Sequence, residues 1–330
     1  MPSWLEGKRV LVTGGAGAFG QKFLPAAREA RCSGVVVFSR DEMKHAALKR
    51  ELGALAKEVE FRIGDVTDPE SVALAMRRID LVIHAAAMKH LPECEANVVA
   101  SNRVNVLGTQ VVANAFLRSE ARALVLLSTD KAPYASSAYG AQKYLAEKIV
   151  WETARLAGPD QRAFSLRYSN VMDSTGSVFH VFRQTLQADR TATVNGAQTS
   201  RGFVTQTQVL EALRAALAAA GGGETLVLRP KVVRVADLAE AMRKLLGHGR
   251  VEVVRNTGFV GEKESATLIT AEERPVAREF GELSSGAVLL DLLARHPGRP
   301  AASLPDRGLT LDDCEPLSGS ELESFVAALL

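Results

Sequence analysis

The sequence lacks the features that mark disulfide-rich, zinc-binding, nucleic-acid-binding or membrane proteins. Its three cysteines are an odd number without CxxC spacing, which indicates neither a disulfide framework nor a zinc site. The formal net charge is only +2, so no basic surface for nucleic acid is indicated. The longest apolar runs have about 5–8 residues, far fewer than a membrane span needs. Charges at Glu6, Lys8 and Arg9 precede any apolar run, so no secretory leader is indicated.

These absences predict a cytoplasmic protein with no membrane or nucleic-acid partner and no metal. What the chain does have is an ordinary globular composition, with 47% hydrophobic and 24% charged residues. Its 330 residues are enough for a large core and two lobes.

A glycine-rich turn follows the first apolar run. Residues 8–13, KRVLVT, predict a strand, and GGAGAFG then places Gly14, Gly17 and Gly20 before an amphipathic helix. Glycines let backbone N–H groups approach a diphosphate, and the helix dipole favours negative charge there. The alternative is a merely tight turn, but the strand–turn–helix context favours a dinucleotide site. The same turn contributes further predicted cofactor contacts, Thr13, Ala18 and Phe19.

The tip of the second predicted strand, GVVVFSR, selects between the two nicotinamide cofactors. An acidic residue there would bind the ribose hydroxyls of NAD, whereas this chain has Ser39 and Arg40, with Lys44 one turn later. A hydroxyl and cations suit a 2′-phosphate, so NADP is favoured and NAD is less likely. Asp41 would weaken this prediction if the strand ended one residue later, and the cations could instead be solvated helix-start charges.

The next two strands supply more candidate cofactor contacts. Asp65, followed by Val66, ends the run VEFRIGDVTD and is placed to accept from an adenine amino group, although it could simply cap the turn. The fourth strand ends in Ala85–Ala87, which are small enough for a cofactor to lie against them. Asn105 lies among apolar residues of a predicted long helix, and a buried Asn needs a partner, expected to be backbone near the catalytic strand.

The fifth strand, ALVLL, leads into the candidate catalytic stretch. Thr129, Asp130 and Lys131 end the strand, and Tyr139 and Lys143 lie four residues apart on a predicted helix. Residues four apart share one helix face, and an ammonium beside a phenol is expected to lower the Tyr pKa. Taken alone, the Tyr–Lys pair could be a chance surface pair, and Asp130–Lys131 an exposed turn pair.

The order of these motifs resembles the extended short-chain dehydrogenase/reductase superfamily. The motifs are TGGAGAFG, GDVTD, HAAA, NVLGT, STDK and YGAQK. Within that superfamily, FSRDEMKH, AAAMKHLPECE and RYSNVMDSTGSV resemble the UDP-N-acetylglucosamine 4,6-dehydratases, including the C5-inverting members that begin nonulosonate and capsule sugar pathways. The resemblance runs from about residue 8 to about residue 178 and is weaker beyond.

The resemblance implies a 4,6-dehydration. Tyr139, assisted by Lys143 and Thr129, would take the proton of the sugar 4-hydroxyl while the C4 hydride passes to NADP. The 4-ketone acidifies the C5 proton, which Lys131 would remove, and Asp130 would protonate the departing 6-hydroxyl. Hydride return to C6 leaves a 4-keto-6-deoxy sugar.

The resemblance also implies a set of binding residues, with departures on the substrate side. Tyr139, Lys143 and Tyr168 would contact the cofactor, and the implied substrate contacts are Lys89, His90, Asn170, Arg201 and Arg255. Ser169 stands where relatives have Gly, and an Arg is lost where the chain reads Asp173-Ser174-Thr175. Phe259 replaces an Arg that would clamp a diphosphate, which is not a conservative change, and Arg255 could compensate.

The predicted architecture is a Rossmann-type doubly wound parallel sheet with a smaller, discontinuous C-terminal substrate lobe. The expected boundaries are 1–172 for the NADP-binding domain, with part of 200–230 returning to it, and 173–199 plus 231–330 for the lobe. A homo-oligomer is expected. The alternatives for function are a nucleotide-sugar epimerase or 5,6-dehydratase of the same superfamily, and a catalytically degenerate NADP-binding protein.

Overall fold

The structure is a computed structural model, and it describes residues 4–172, 174, 176–254, 263, 265–283 and 286–330. The strands are β1 (Arg9–Thr13), β2 (Gly34–Ser39), β3 (Val59–Ile63), β4 (Leu81–His84), β5 (Ala123–Thr129), β6 (Arg162–Tyr168), β7 (Asn170–Val171), β8 (Thr191–Asn195), β9 (Ser200–Val204), β10 (Glu224–Leu228), β11 (Lys231–Arg234), β12 (Arg250–Val254), β13 (Thr267–Ile269), β14 (Ala277–Phe280), β15 (Ala287–Asp291) and β16 (Leu309–Thr310). The helices are α1 (Ala18–Glu29), α2 (Glu42–Leu52), α3 (Pro69–Ala75), α4 (Leu91–Ala96), α5 (Val98–Asn102), α6 (Gly108–Leu117), α7 (Ala138–Leu156), α8 (Val178–Gln187), α9 (Gln206–Ala219), α10 (Val235–Leu246) and α11 (Gly319–Ala327).

The central sheet has nine strands within the described residues, in the order β14-β15-β10-β6-β5-β4-β1-β2-β3. The seven strands from β10 to β3 run parallel, and β15 and β14 pair antiparallel at the edge. The strand order reverses between β1 and β4, and in such sheets ligands bind at that point, beyond the carboxyl ends of the strands. The predicted Rossmann-type sheet is confirmed.

The strands read as continuous apolar runs because helices cover both faces of the sheet. All seven residues of β5 are buried. Alternate residues of β1 enter different cores: Val10 and Val12 pack towards α1 and α9, and Leu11 packs towards α3, α6 and α7. This two-sided burial explains why the strands lack the apolar–polar alternation of a half-exposed sheet.

The long helix predicted around Asn105 is broken in the structure. A π-helical turn, Arg103–Leu107, separates α5 from α6. Such a turn inserts one extra residue into the helix and is found frequently at functional sites. Three of its residues are buried, and Asn105 is one of them.

The rest of the chain forms a smaller lobe and the edge of the main sheet. The lobe core joins α8, α10 and α11 to the parallel pair β8–β12. Helix α9 and strand β10, within 200–230, lie against and in the central sheet. Strands β14 and β15 also belong to the central sheet, although the sequence assigned 231–330 to the substrate lobe. Among the described helices, none is both long and apolar enough to span a bilayer.

Candidate active site

The glycine turn is packed too tightly for any larger residue. Gly14 has φ +66°, and a Cβ there would lie 2.7 Å from Ala86 Cα. A Cβ on Gly20 would lie 1.7 Å from the carbonyl oxygen of Gly15, so the turn and α1 touch through their backbones. Helix α1 begins after Gly17, which has no side chain to cap the first N–H groups. These free donors at a helix N-terminus fit a dinucleotide diphosphate.

The other predicted cofactor contacts near the glycine turn are either buried or partly buried. Thr13 is fully buried, and its hydroxyl accepts from the Ala86 N–H at 3.4 Å. Phe19 stacks on Phe23 with ring centroids 5.4 Å apart, inside the core under the sheet. Val66 is likewise buried. Ala18 begins α1, and Ala85–Ala87 are partly buried at the end of β4. Their contacts with a cofactor stay predictions.

His84, which the sequence analysis did not single out, ties β4 to the glycine turn. Its Nδ1 lies 2.7 Å from the Thr13 hydroxyl and its Nε2 lies 3.0 Å from the Thr109 hydroxyl. Because Thr109 donates its only hydroxyl proton to the Asn105 carbonyl, it must accept from His84, which assigns the proton to Nε2. Burial, with the nearby Lys143, lowers the pKa of His84 to about 3, so the ring is neutral.

Asn105 joins three parts of the site. Its Oδ1 accepts from the Met88 N–H at 2.8 Å, and its Nδ2 donates to the Met88 carbonyl at 2.9 Å and to Gln142 Oε1 at 2.8 Å. The partner is therefore backbone of the loop after β4, together with a side chain of α7. The side chain is 1% exposed and works as a structural brace, while direct contact with a cofactor stays a prediction.

The tip of β2 carries the predicted cations on its surface. Arg40 and Lys44 are mostly exposed, with Arg40 Nη1 3.5 Å from Asp65 and Lys44 Nζ 3.7 Å from Asp41. Asp41 caps α2 by accepting from the Lys44 N–H, so it is committed to the helix start. The Ser39 hydroxyl lies 2.7 Å from His45 Nε2. An exposed cationic cluster of this kind suits a phosphate.

Asp65 has the turn-capping role that the sequence left open. Its Oδ1 accepts from the Thr67 N–H at 2.9 Å. Burial opposes its ionisation, but this hydrogen bond and the charge of Arg40 outweigh burial and lower the pKa of Asp65. The second carboxylate oxygen faces Arg40, so an adenine contact stays a prediction.

Helix α7 presents Tyr139 and Lys143 to the end of β5. Ser137 caps the helix by accepting from the Gly140 N–H at 3.1 Å, and Lys143 Nζ donates to the Leu127 carbonyl at 2.7 Å. Burial lowers the pKa of Lys143 to about 8. The pKa of Tyr139 is raised by burial, then by Tyr168 and Asp130, with a Thr129 hydrogen bond opposing.

The expected lowering of the Tyr139 pKa is therefore wrong. The phenol is 9% exposed and lies beside acidic neighbours, so its neutral form is favoured. The spacing of Tyr139 and Lys143 predicts that they share a helix face but not how deeply they are buried. Burial is the largest cause of the raised Tyr139 pKa.

Asp130 and Lys131 form one cluster with Thr129 and Asn170. Lys131 Nζ donates to Asp130 Oδ1 at 2.9 Å and to Asn170 Oδ1 at 3.2 Å. The Thr129 hydroxyl donates to the same Asp130 oxygen at 3.1 Å. Asp130 is 1% exposed, whereas the Lys131 side chain is 23% exposed. A buried carboxylate beside a reachable amine is not an exposed turn pair.

Lys263, which the sequence analysis did not select, braces the loop after this cluster. Its Nζ donates to the Pro133 carbonyl at 2.8 Å. Burial lowers the pKa of Lys263, Asp130 raises it and Lys131 lowers it further, so the amine lies in the field of the acid–base pair. Lys263 lies beyond residue 178, where the resemblance is weaker.

Of the predicted substrate residues, Asn170 bonds to the cluster and Arg201 bonds to the backbone of Lys263. Asn170 contacts Lys131, while Arg201 Nη1 donates to the Ser200 carbonyl at 2.9 Å and to the Lys263 carbonyl at 3.0 Å. His90 is exposed, and its ring lies 3.0 Å from where a Cβ on Gly176 would be. Burial and Lys44 lower the pKa of Lys89. Arg255, Phe259, Asp173 and Thr175 lie outside the described residues.

The Ser169 departure has a structural partner in Gly202. The Ser169 side chain is buried, and its hydroxyl oxygen has no hydrogen-bond partner among the described residues. A Cβ on Gly202 would lie 2.6 Å from that oxygen, so the glycine makes room for the serine. Tyr168, next to it, is partly buried, and burial raises the pKa of its phenol.

The described residues hold no cluster of three metal-binding side chains. The site is thus a glycine-lined turn at a helix N-terminus, joined through buried polar side chains to a Tyr–Lys pair and an Asp–Lys pair. Such a site can exchange protons with a bound substrate at more than one position. The assigned roles of its residues in binding and catalysis stay predictions.

The chain is similar to proteins that act on nucleotide sugars. It is 28% identical over 311 residues to the UDP-N-acetylglucosamine 4,6-dehydratase (inverting) of Campylobacter jejuni, covering 93% of this chain and 91% of that protein. It is 30% identical over 279 residues to the UDP-glucose 4-epimerase of Rickettsia felis, covering 83% and 81%. The solved structure of Pen from Bacillus thuringiensis matches with a TM-score of 0.90 at 28% identity, covering 99% of both chains.

More distant solved chains at 18–21% identity, several with NAD bound, show that the fold is shared. Residues 10–286, well over half of the chain, match the family described as polysaccharide biosynthesis protein. These findings confirm the resemblance read from the sequence motifs. The chain belongs to the polysaccharide biosynthesis protein family.

Proposed function

We propose that this protein is a nucleotide-sugar 4,6-dehydratase acting on a UDP-N-acetylglucosamine-like substrate. The observation that carries the proposal is the cluster of Asp130, Lys131 and Asn170 at the carboxyl end of β5, with Nζ–O distances of 2.9 and 3.2 Å. Oxidation and re-reduction of a sugar carbon alone needs no second acid–base pair. Removal of water needs a base for the C5 proton and an acid for the 6-hydroxyl.

The cofactor that fits the site is a nicotinamide dinucleotide, and we favour NADP over NAD. The glycine turn and the start of α1 would hold the diphosphate, because only glycine fits between the turn and Ala86. Arg40 and Lys44, with Ser39 beside them, would meet a 2′-phosphate. When bound, the nicotinamide would accept hydride from the sugar C4 and return it to C6.

The protein side chains would divide the proton transfers between them. Tyr139, held on α7 beside Thr129, would take the 4-hydroxyl proton, and Lys143 would supply positive charge near it. Lys131 would take the C5 proton, which becomes acidic once C4 is a ketone. Asp130 would protonate the leaving 6-hydroxyl, because a carboxyl group in contact with an ammonium can receive a proton locally.

An epimerase is the second candidate, and similarity to the Rickettsia felis 4-epimerase favours it. Epimerisation would use Tyr139 and Lys143 but would leave Asp130 and Lys131 without a chemical role. A 5,6-dehydratase would use both pairs and return the hydride to C4 instead of C6, which leaves a 5,6-ene. A degenerate protein would need neither pair, yet here both pairs are assembled, and only the Lys131 amine is partly exposed.

The test is to incubate the protein with UDP-, dTDP-, GDP- and CDP-sugars and to follow product mass. A product one water lighter supports dehydration, whereas a product of unchanged mass supports the epimerase. Lys131→Ala should abolish the water loss, and Glu252→Ala, an exposed position on β12, is the control. Cofactor binding without conversion of any sugar would support the degenerate reading.

A further inference from the structure

A buried chain of charged side chains lies behind Lys143, and the proposed reaction does not use it. Its members are Glu147 on α7, Arg167 on β6 and Glu273 after β13, which are 5%, 1% and 7% exposed. Charged groups are rarely buried to this extent unless they are paired. Each of these three charges therefore needs a partner of opposite charge.

Arg167 binds both carboxylates at once. It donates to the two oxygens of Glu147 at 3.1 and 2.6 Å, and to the two oxygens of Glu273 at 2.8 and 2.7 Å. It also donates to the Leu268 carbonyl at 2.8 Å. The Ser128 hydroxyl, one residue before Thr129, donates to Glu147 at 2.5 Å. The chain thus fixes α7 against β5, β6 and the segment after β13.

The three side chains do not balance in charge by themselves. Two carboxylates and one guanidinium leave one negative charge, and Lys143 lies one turn before Glu147 on the same face of α7. The four-membered series Lys143–Glu147–Arg167–Glu273 is neutral when Lys143 is an ammonium. Burial lowers the pKa of Lys143 and Glu147 raises it, which agrees with this order.

The other titratable groups facing Lys143 add no competing charge. His84, on β4, has a pKa of about 3 and is neutral. Tyr139, one turn earlier on α7, has a raised pKa and is neutral as well. Glu147 is thus the source of negative charge beside the lysine.

We propose that the Glu147–Arg167–Glu273 chain is a positioning element for Lys143, which holds the catalytic helix in place and keeps the Lys143 ammonium charged near neutral pH. The proposal rests on the proposed function only for the use made of Lys143. It assigns the segment after β13 a part in the chemistry, because Glu273 completes the chain.

The test follows the titration of Lys143 through the stability of the fold. The folded pKa of Lys143, about 8, lies below its unfolded value. The buried ammonium therefore costs stability at low pH, and this cost falls as the pH rises from 8 towards the unfolded pKa. The difference in unfolding free energy between the wild type and Lys143→Met, measured from pH 6.5 to 9.5, should therefore bend near pH 8.

Glu147→Gln keeps the shape and removes the charge, so the same difference measured in that background should bend about 0.5 pH unit lower or more. Glu273→Gln should shift it less, in the same direction, and carries the test if Glu147→Gln does not fold. Glu240→Gln, which removes the same charge from the partly exposed pair with Arg243, is the control and should not shift it. An unshifted bend in the Glu147 or Glu273 background overturns the proposal.

Binding of NADP gives a second readout. Its affinity should fall as Lys143 loses its proton, at a lower pH in Glu147→Gln than in the wild type. Neither measurement uses a sugar nucleotide, so failure of this proposal and failure of the proposed reaction are distinguishable.

Discussion

Single glycines decide whether the turn between β1 and α1 can form. Gly20 is the sharpest case, because its α-carbon faces the Gly15 carbonyl with no room for a methyl group. Gly20→Ala should destabilise the fold by about 1–3 kcal/mol and abolish dinucleotide binding, since helix and turn must separate. Thermal unfolding and cofactor titration check this. Gly298→Ala, where nothing lies within 4 Å of an added Cβ, should change neither, and an unaffected Gly20→Ala would contradict the account.

Arg40 is the residue on which the proposed preference for NADP depends most. Its guanidinium is mostly exposed, and its contact with Asp65 is long, at 3.5 Å, so it is available to a phosphate. Arg40→Ala should weaken NADP binding about tenfold and leave NAD binding unchanged, because one charge-assisted contact is lost. Isothermal titration with both cofactors checks this, and Arg28→Ala, in the exposed pair with Glu58, is the control. Equal losses for both cofactors would refute the preference.

The sequence predicted the positions of the candidate catalytic residues better than their pKa values. The strand end and the helix face placed Thr129, Asp130, Lys131, Tyr139 and Lys143, and the structure gathers them at the carboxyl end of β5. Spacing could not predict the raised pKa of Tyr139, because that depends on burial by residues distant in sequence. For the same reason Lys263, 132 positions beyond Lys131, was missed.

At the scale of elements, the π-helical turn between α5 and α6 joins the loop after β4 to helix α7. Asn105 within it bonds the Met88 backbone twice and Gln142 of α7 once. Asn105→Ala should lower the unfolding free energy by about 3 kcal/mol or more, because it leaves several buried polar groups unpaired.

Chemical denaturation with cofactor titration measures this effect. Asn114→Ala, at an exposed position on α6, is the matched control and should be nearly neutral. Retained stability in Asn105→Ala would show that water or another side chain replaces the amide. The sequence predicted a buried, partnered Asn here, but a π-turn has no composition signal that distinguishes it from regular helix.

At the scale of the whole molecule, the parallel part of the sheet was predictable and its edge was not. Alternation of apolar runs with helices, together with the glycine turn, specifies β1 to β6. Strands β14 and β15 are short and lie far along the chain. Strand β15 pairs antiparallel with β10 and β14 with β15, so no local pattern assigns them to the central sheet. The expected homo-oligomer and cytoplasmic location stay predictions.

The Asp130–Lys131 pair makes dehydration the central claim, and isotope exchange tests it most directly. UDP-N-acetylglucosamine would be incubated with the protein in deuterium oxide, and the product examined by mass spectrometry and NMR. The account predicts a product that has lost one water and carries one deuterium, at C5, because Lys131 removes that proton and an exchangeable group replaces it. A product of unchanged mass without deuterium would contradict the account.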